Sequence, residues 1–211
     1  MMDPLKSISE SLVQRYSNRY RELGDSIRTL GWGSTEQQRY RFAMSLSLLG
    51  NTAGKKIVDV GCGFADFFRF LIESGVEFES YLGVDINEDL LGQARQKCND
   101  PRATFERINI LTEPPAEPLG DILVMFGILN FHLKEKMNNL DYTRMFVKNA
   151  FSLGPLPAPC LPLYDLPDFF VRPFVHGPPL CDCALAIRGH CRLVSACSAR
   201  RSCAGRMVYD S

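Results

Sequence analysis

An excess of either charge, long apolar runs and histidine are all missing or scarce in this sequence. The 24 basic and 24 acidic residues cancel, so no net field pulls the chain toward nucleic acid or an anionic membrane. The longest apolar run, Ile122 to Leu129, is far shorter than the roughly 20 residues that span a bilayer as a helix. The opening residues, MMDPLKSISESL, lack the apolar core of a secretory leader. A soluble, cytoplasmic protein is expected, and 211 residues suffice for one domain with a real core.

A second set of absences is local. After Leu153 the chain has no lysine, glutamate, asparagine, glutamine or threonine, yet these last 58 residues hold eight of the 13 prolines and six of the eight cysteines. Pro155, Pro157, Pro159 and Pro162 exclude regular structure just beyond residue 153. Cys181, Cys183, Cys191 and His190 do not fall into a zinc spacing, so no metal is expected. A disulfide framework does not suit a chain of cytosolic type. Two origins stay open for 154–211: a GC-rich message read out of register, which is favoured, or a genuine extension. Either way this part is expected to be an atypical, poorly ordered tail.

What is present is concentrated between Lys55 and Asn87. Ile57, Val58 and Val60 form a short β-branched run of the kind buried on both faces of a parallel sheet. It breaks at Gly61-Cys62-Gly63. A helix-period stretch follows (Phe64, Phe67, Phe68, Leu71, Ile72) and stops at Gly75, and a second strand, Tyr81 to Ile86, carries Asp85 near its tip. Glycines let backbone turn and approach a ligand closely, and a carboxylate at the next strand's tip can accept both ribose hydroxyls. Strand, glycine turn, helix, strand, acid is the pattern of a nucleotide-binding βαβ unit. A dinucleotide fingerprint would place a third glycine at position 66, where this chain has Asp66, at odds with a close-packed pyrophosphate.

At VDVGCGFAD and YLGVDIN the sequence resembles the class I methyltransferases that use S-adenosylmethionine. The acid two residues before their first glycine corresponds to Asp59, and Asp85 takes the ribose-binding place. The family's third glycine position holds Ala65 here, a departure. The resemblance implies a Rossmann-like α/β fold, with S-adenosylmethionine as cofactor and a methyl acceptor as partner. It names Asp59, Gly61, Cys62, Gly63, Asp85 and Ile86 as cofactor-binding, with Asn109, Ile110 and Phe126 further along. The loop backbone would hold the methionine end. Asp59 either touches the ligand or only ties down the loop. Asn109 stands where relatives place an acid for the adenine amine, and its side-chain oxygen can accept the same bond.

The lead-in GWGS…RYRF is similar to that of small bacterial-type members, where it folds over the cofactor. That likeness makes Trp32, Gln38 and Arg41 candidates. A guanidinium suits a carboxylate through its bidentate fork, but Arg41 as a surface charge and Trp32 as a core anchor remain open readings. Methyl transfer needs alignment rather than a fixed triad, so no catalytic residue is assigned. Asn130 or His132, at the tip of the fourth strand, either orients the acceptor or is plain surface.

Around this unit the sequence predicts an amphipathic helix or helix pair over 5–30 with a Ser7/Glu10 capping box. Arg15, Arg19 and Arg21 on it form either a basic groove or a solvated face. A second helix is capped by Ser34 and presents Phe42, Ala43, Leu46 and Leu49. A third begins at Asn87, and a last runs over 134–153, broken near Asn138-Asn139 with Asp141 as a new cap. Strands are expected at 103–108 and 121–126. Three parts follow: 1–50 covering the cofactor, 51–153 as the Rossmann-like core, and 154–211 as the tail. With four recognisable strands the sheet is expected to be incomplete, leaving an apolar edge bare.

Overall fold

The computed structural model describes residues 3–129, 133, 137–151, 153–154, 184–188 and 192–196. Six strands form one sheet in the order β3-β2-β1-β4-β5-β6. β1 (Lys56–Val60), β2 (Ser80–Asp85), β3 (Ala103–Arg107) and β4 (Ile122–Phe126) are mutually parallel. β1 is central because Ile57, Val58 and Val60 are buried on both faces, and all five residues of β4 are buried beside it. The chain steps outward from β1 to β2 and β3, then returns to the other side of β1 at β4. Strand order therefore reverses between β1 and β4, which is where open α/β sheets leave a crevice beyond the strand ends.

Helices cover both faces. α2 (Thr35–Leu49), α3 (Asp66–Glu73) and α4 (Glu88–Lys97) bury Phe42, Leu49, Phe67, Leu71, Leu91 and Ala94 in one cluster. α1 (Pro4–Leu23) and α5 (Asn139–Phe151) bury Ile8, Tyr142, Val147 and Ala150 against Val58, Val60 and Leu123 on the other face. The link from β3 to β4 has no helix: its three prolines leave it as turns, pinned where Leu119 N–H donates to Leu153 O (2.7 Å) and Lys56 N–H to Asp121 Oδ2 (2.8 Å).

Four expectations need correction. First, α1 starts at Pro4 rather than at a Ser7 box. Asp3 is the cap, accepting from Leu5 N–H at 3.0 Å, and proline at the first helical position gives up no bond. Second, the buried face of α2 carries Gln38, Arg41 and Ser45 together with Phe42 and Leu49, while Ala43 is exposed. Third, α5 begins at Asn139, and Asn138 rather than Asp141 caps it, accepting from Leu140 N–H at 2.8 Å. Fourth, the stretch expected to be irregular throughout contains β5 (Ala184–Arg188) and β6 (Arg192–Ala196). β5 pairs antiparallel with β4, from Ile122 opposite Arg188 to Phe126 opposite Ala184, so the β4 edge is covered. α2 packs on both added strands. The proline-rich 155–170, Cys181, Cys183, His190 and Cys191 lie outside the described residues, as do Asn130 and His132.

α1 is fastened across the sheet's end by Asn87. Its Oδ1 accepts from Asp89 N–H (2.9 Å) and Leu90 N–H (3.3 Å), capping α4, while its Nδ2 donates to Val13 O and Ser17 Oγ, both at 3.1 Å. Asn87→Asp keeps the cap acceptor but sets a carboxylate oxygen against Val13 O. Amide exchange in α1 is expected to rise by about tenfold or more, a loss of roughly 1.4 kcal/mol or more of local protection, with α4 protection retained. Equal loosening of both helices would show that Asn87 acts only as a cap.

Candidate functional site

The crevice between the β1 and β4 ends holds a cavity of about 130 Å³. β1 delivers Val60 into Gly61, Cys62 and Gly63, whose glycines take φ +75° and +54°. Ala65 also lies in the left-handed region, at φ 58°, before α3 begins at Asp66. Asp85 faces this turn from the tip of β2: Gly63 N–H donates to its Oδ2 (3.0 Å) and Asn87 N–H to its Oδ1 (2.9 Å). Burial pushes the Asp85 carboxyl up, while the N–H groups of Asn87, Gly63 and Ile86 oppose the shift. Each oxygen keeps a lone-pair direction for a ligand hydroxyl.

The turn does not offer its amides to a ligand, contrary to the expectation that its backbone wraps a methionine end through them. Gly61 N–H and Cys62 N–H both donate to Val84 O (2.8 and 3.1 Å), Gly63 N–H is taken by Asp85, and Ala65 N–H donates to Cys62 O (2.9 Å). The reason is register: β1 pairs with β2 up to Val60 opposite Val84, and the turn continues that ladder by one step. Close approach is nevertheless built in. A Cβ at Gly61 would lie 2.2 Å from Ile128 Cγ2, and one at Gly63 would lie 2.9 Å from Leu30 Cδ2.

Asp59 is 2% exposed and accepts from the Tyr81 hydroxyl at 2.6 Å. Burial pushes its carboxyl up to about 7, the Tyr81 bond opposes this, and Asp85 adds to it. Asp59 borders the cavity, and its bonded partner is Tyr81 on β2 rather than a loop amide. Cys62 also borders the cavity, and burial raises its thiol far above the ordinary range, so it stays protonated. Asp66 is held by Gln38 Nε2 at 2.8 Å and pairs with Arg69.

Of the sequence candidates, Asp59, Gly61, Cys62, Gly63, Asp85 and Ile86 meet at the cavity. Asn109, Ile110 and Phe126 also line it, as do Trp32 and Gln38 from the lead-in. Asn109 is engaged at both ends, its Oδ1 accepting from Leu111 N–H (3.1 Å) and its Nδ2 donating to Ser9 Oγ (2.9 Å). Trp32 combines its two readings: it is edge-on to Phe42 with centroids 6.4 Å apart, and it faces Gly127 at the cavity. Arg41 is the exception. It is 1% exposed, hence no surface charge, yet it does not line the cavity. Gln38 and Phe42, one turn apart, take the cavity face of α2, and Arg41 falls to one side of it on a helix that packs over β5 and β6. Arg15 and Arg21 are exposed and Arg19 donates to Arg28 O, so these arginines form no groove. Sequence reasoning passed over Tyr16, Leu30, Tyr142 and Phe146, which also border the cavity, as does Ile128 from the β4 tip. Their aromatic and aliphatic character gives no signal beyond helix periodicity.

Among the described residues no helix is long and apolar enough to cross a membrane. A family model described as a methyltransferase domain matches residues 57–146. An uncharacterized protein of Haemophilus influenzae is 33% identical over 99 residues, 45% of this chain and 38% of that protein. The ubiquinone biosynthesis O-methyltransferase of Methylococcus capsulatus is 38% identical over 65 residues, 31% of this chain and 26% of that enzyme. The matched segments thus span well under half of these curated relatives. Among solved structures, the phosphoethanolamine N-methyltransferase 1 of Haemonchus contortus, in complex with phosphoethanolamine and S-adenosylhomocysteine, superposes with a TM-score of 0.55 at 17% identity, over 72% of this chain and 31% of that one. This last likeness is one of fold. The matched domain begins in β1 and runs through the glycine turn and Asp85 into α5, so this part of the chain is similar to a methyltransferase domain.

Proposed function

We propose that this chain binds S-adenosylmethionine in the cavity at the β1–β4 reversal and directs its methyl group to a small-molecule acceptor. The observation that carries this reading is Asp85. It is a carboxylate at the β2 tip, fixed by two backbone donors at 3.0 and 2.9 Å, bordering a cavity beside a glycine turn whose own amides are spent. Such a carboxylate suits a ribose. Asp66 in the first turn of α3 sets a carboxylate where a pyrophosphate would have to sit, which does not suit a dinucleotide.

The cofactor supplies a sulfonium-bound methyl group, a strong electrophile that becomes a neutral thioether once the methyl has left. The protein's part is binding and alignment. Asp85 accepts from the sugar hydroxyls, and Ile86 and Ile110 offer apolar walls for a base. Asp59 and the carbonyls around the turn face the cationic end. Gln38, bonded to Asp66, ties α2 to the first turn of α3. Phe42, Phe67 and Phe126, with centroids 4.7 to 5.2 Å apart, form an apolar floor that keeps water out.

Titration calorimetry on the folded chain is expected to show S-adenosylhomocysteine binding with no response to NAD. Binding of NAD in place of S-adenosylhomocysteine would overturn the reading. Methyl transfer from labelled S-adenosylmethionine across an acceptor panel tests the second half of the proposal. Binding without transfer to any acceptor would reduce the chain to a cofactor-binding module.

A further inference from the structure

The cavity lining combines a set of polar groups with a set of rings. Asp59, Asp66, Asp85, Asn87 and Asn109 stand on the side of the β1, β2 and β3 ends. The rest of the lining includes rings and branched aliphatics from other elements: Tyr16 of α1, Trp32 of the lead-in, Ile128 after β4, and Tyr142 and Phe146 of α5. Tyr142 and Phe146 lie with ring centroids 6.0 Å apart and 33° between planes, and Tyr142 is 4% exposed. Burial and the neighbouring Tyr16 push the Tyr142 hydroxyl up, so it stays neutral. Among the described residues, every charged side chain lining the cavity is a carboxylate, and no lysine, arginine or histidine lines it. Arg69, which pairs with Asp66, is outside the lining.

We infer that the methyl acceptor of this cavity is an uncharged, ring-bearing molecule, seated against Tyr16, Tyr142 and Phe146, and that anionic acceptors are rejected. The inference rests on the reading above, in which Asp85 and its neighbours take the cofactor. With those polar groups given to the cofactor, the rings of Tyr16, Tyr142 and Phe146 remain to receive the acceptor. A flat apolar ring gains area and offset ring contacts there. A carboxylate or phosphate on the acceptor would be desolvated there with no donor cation among the described residues, a penalty an uncharged ring avoids. A phenol, by contrast, brings a nucleophilic oxygen with a removable proton and no charge. In the transfer its oxygen forms the bond to the methyl carbon as the sulfur–carbon bond breaks, the sulfur keeps that electron pair, and the phenolic proton passes to solvent.

The test uses the whole chain saturated with S-adenosylhomocysteine, with the single tryptophan, Trp32, as the reporter. Fluorescence titrations compare p-cresol with p-toluate, matched in ring and methyl but differing in charge. Cresol is expected to bind at least tenfold more tightly. Phe146→Arg, at a half-buried wall position, is expected to reverse that order by placing a guanidinium beside the ring. Toluate binding as tightly as cresol to the unaltered chain would overturn the inference, as would failure of either ring to bind while S-adenosylhomocysteine binds. Failure of S-adenosylhomocysteine itself, read by calorimetry on the same sample, would instead remove the cofactor reading on which the inference stands.

Discussion

Asp85→Ala is expected to lower S-adenosylhomocysteine affinity on the order of 100-fold or more. Two hydroxyls accepted by one carboxylate are two charge-assisted bonds, each contributing about 1.5–3 kcal/mol. Losing both gives that factor at the low end. The same change leaves Gly63 N–H and Asn87 N–H without the acceptor they now hold at 3.0 and 2.9 Å. The turn should therefore loosen and the melting temperature should fall in the absence of any ligand. Asp85→Asn separates the two effects. It keeps the shape and one acceptor, but its amide NH₂ must face one of those two backbone donors, at a cost of about 1–3 kcal/mol. Thermal melts with and without ligand report both quantities, because a ligand at 100 times its dissociation constant adds about 2.7 kcal/mol of stability. For the alanine variant that ligand-induced gain should shrink to about 0.4 kcal/mol or less at the same ligand concentration. An unchanged rise would mean the sugar is held elsewhere.

Much of this site is legible in the residues alone because its signals are local. β-branched residues before a glycine turn, then Phe67, Phe68 and Leu71 at helical spacing, fix β1 and α3 without reference to anything distant. Ser34 was readable as the α2 cap, and it accepts from Gln37 N–H at 3.1 Å. Asp66 was readable as an obstacle to pyrophosphate, though its partner Gln38 lies 28 positions back. What escaped is long-range. Asn87 reads as a helix cap, and nothing near it in sequence announces the bonds to Val13 and Ser17, 74 and 70 positions away. Asn109 reads as a ligand acceptor, yet it binds Ser9, 100 positions away. Ile72 fits the apolar stripe of α3 and is 40% exposed, while Phe70 takes the buried place. That choice belongs to the packing of Phe42 onto Phe70, with centroids 5.5 Å apart. In the same way ALAIR and RLVSA are ordinary short strands by composition. The surrounding proline and cysteine drew the reading away from them.

Long-range contacts also narrow the cavity. Sites that bury a whole ligand of drug size occupy about 300–1,000 Å³, more than the 130 Å³ found here. Two side chains lean on the turn from outside the βαβ unit: Leu30 at Gly63 and Ile128 at Gly61. Both come from segments that border the cavity rather than from the sheet.

Gly61→Ala should be the most damaging single methyl in the domain, for two separable reasons. At φ +75° an alanine pays about 1–2 kcal/mol for the left-handed conformation. Its Cβ would also stand 2.2 Å from Ile128 Cγ2. Because a β-branched side chain has little χ1 freedom, the backbone must shift instead, and overpacking of this kind costs about 1–3 kcal/mol. Together they give roughly 2–5 kcal/mol, or about 4–20 °C in melting temperature for a chain of this size. Ile128→Ala in the same chain removes the obstructing methyl and leaves the backbone cost. The double variant is therefore expected to recover about half of the loss, relative to the sum of the single changes, in a double-mutant cycle. Additive single effects would show that Ile128 does not press on the turn, and an unperturbed Gly61→Ala would show that the turn has another shape.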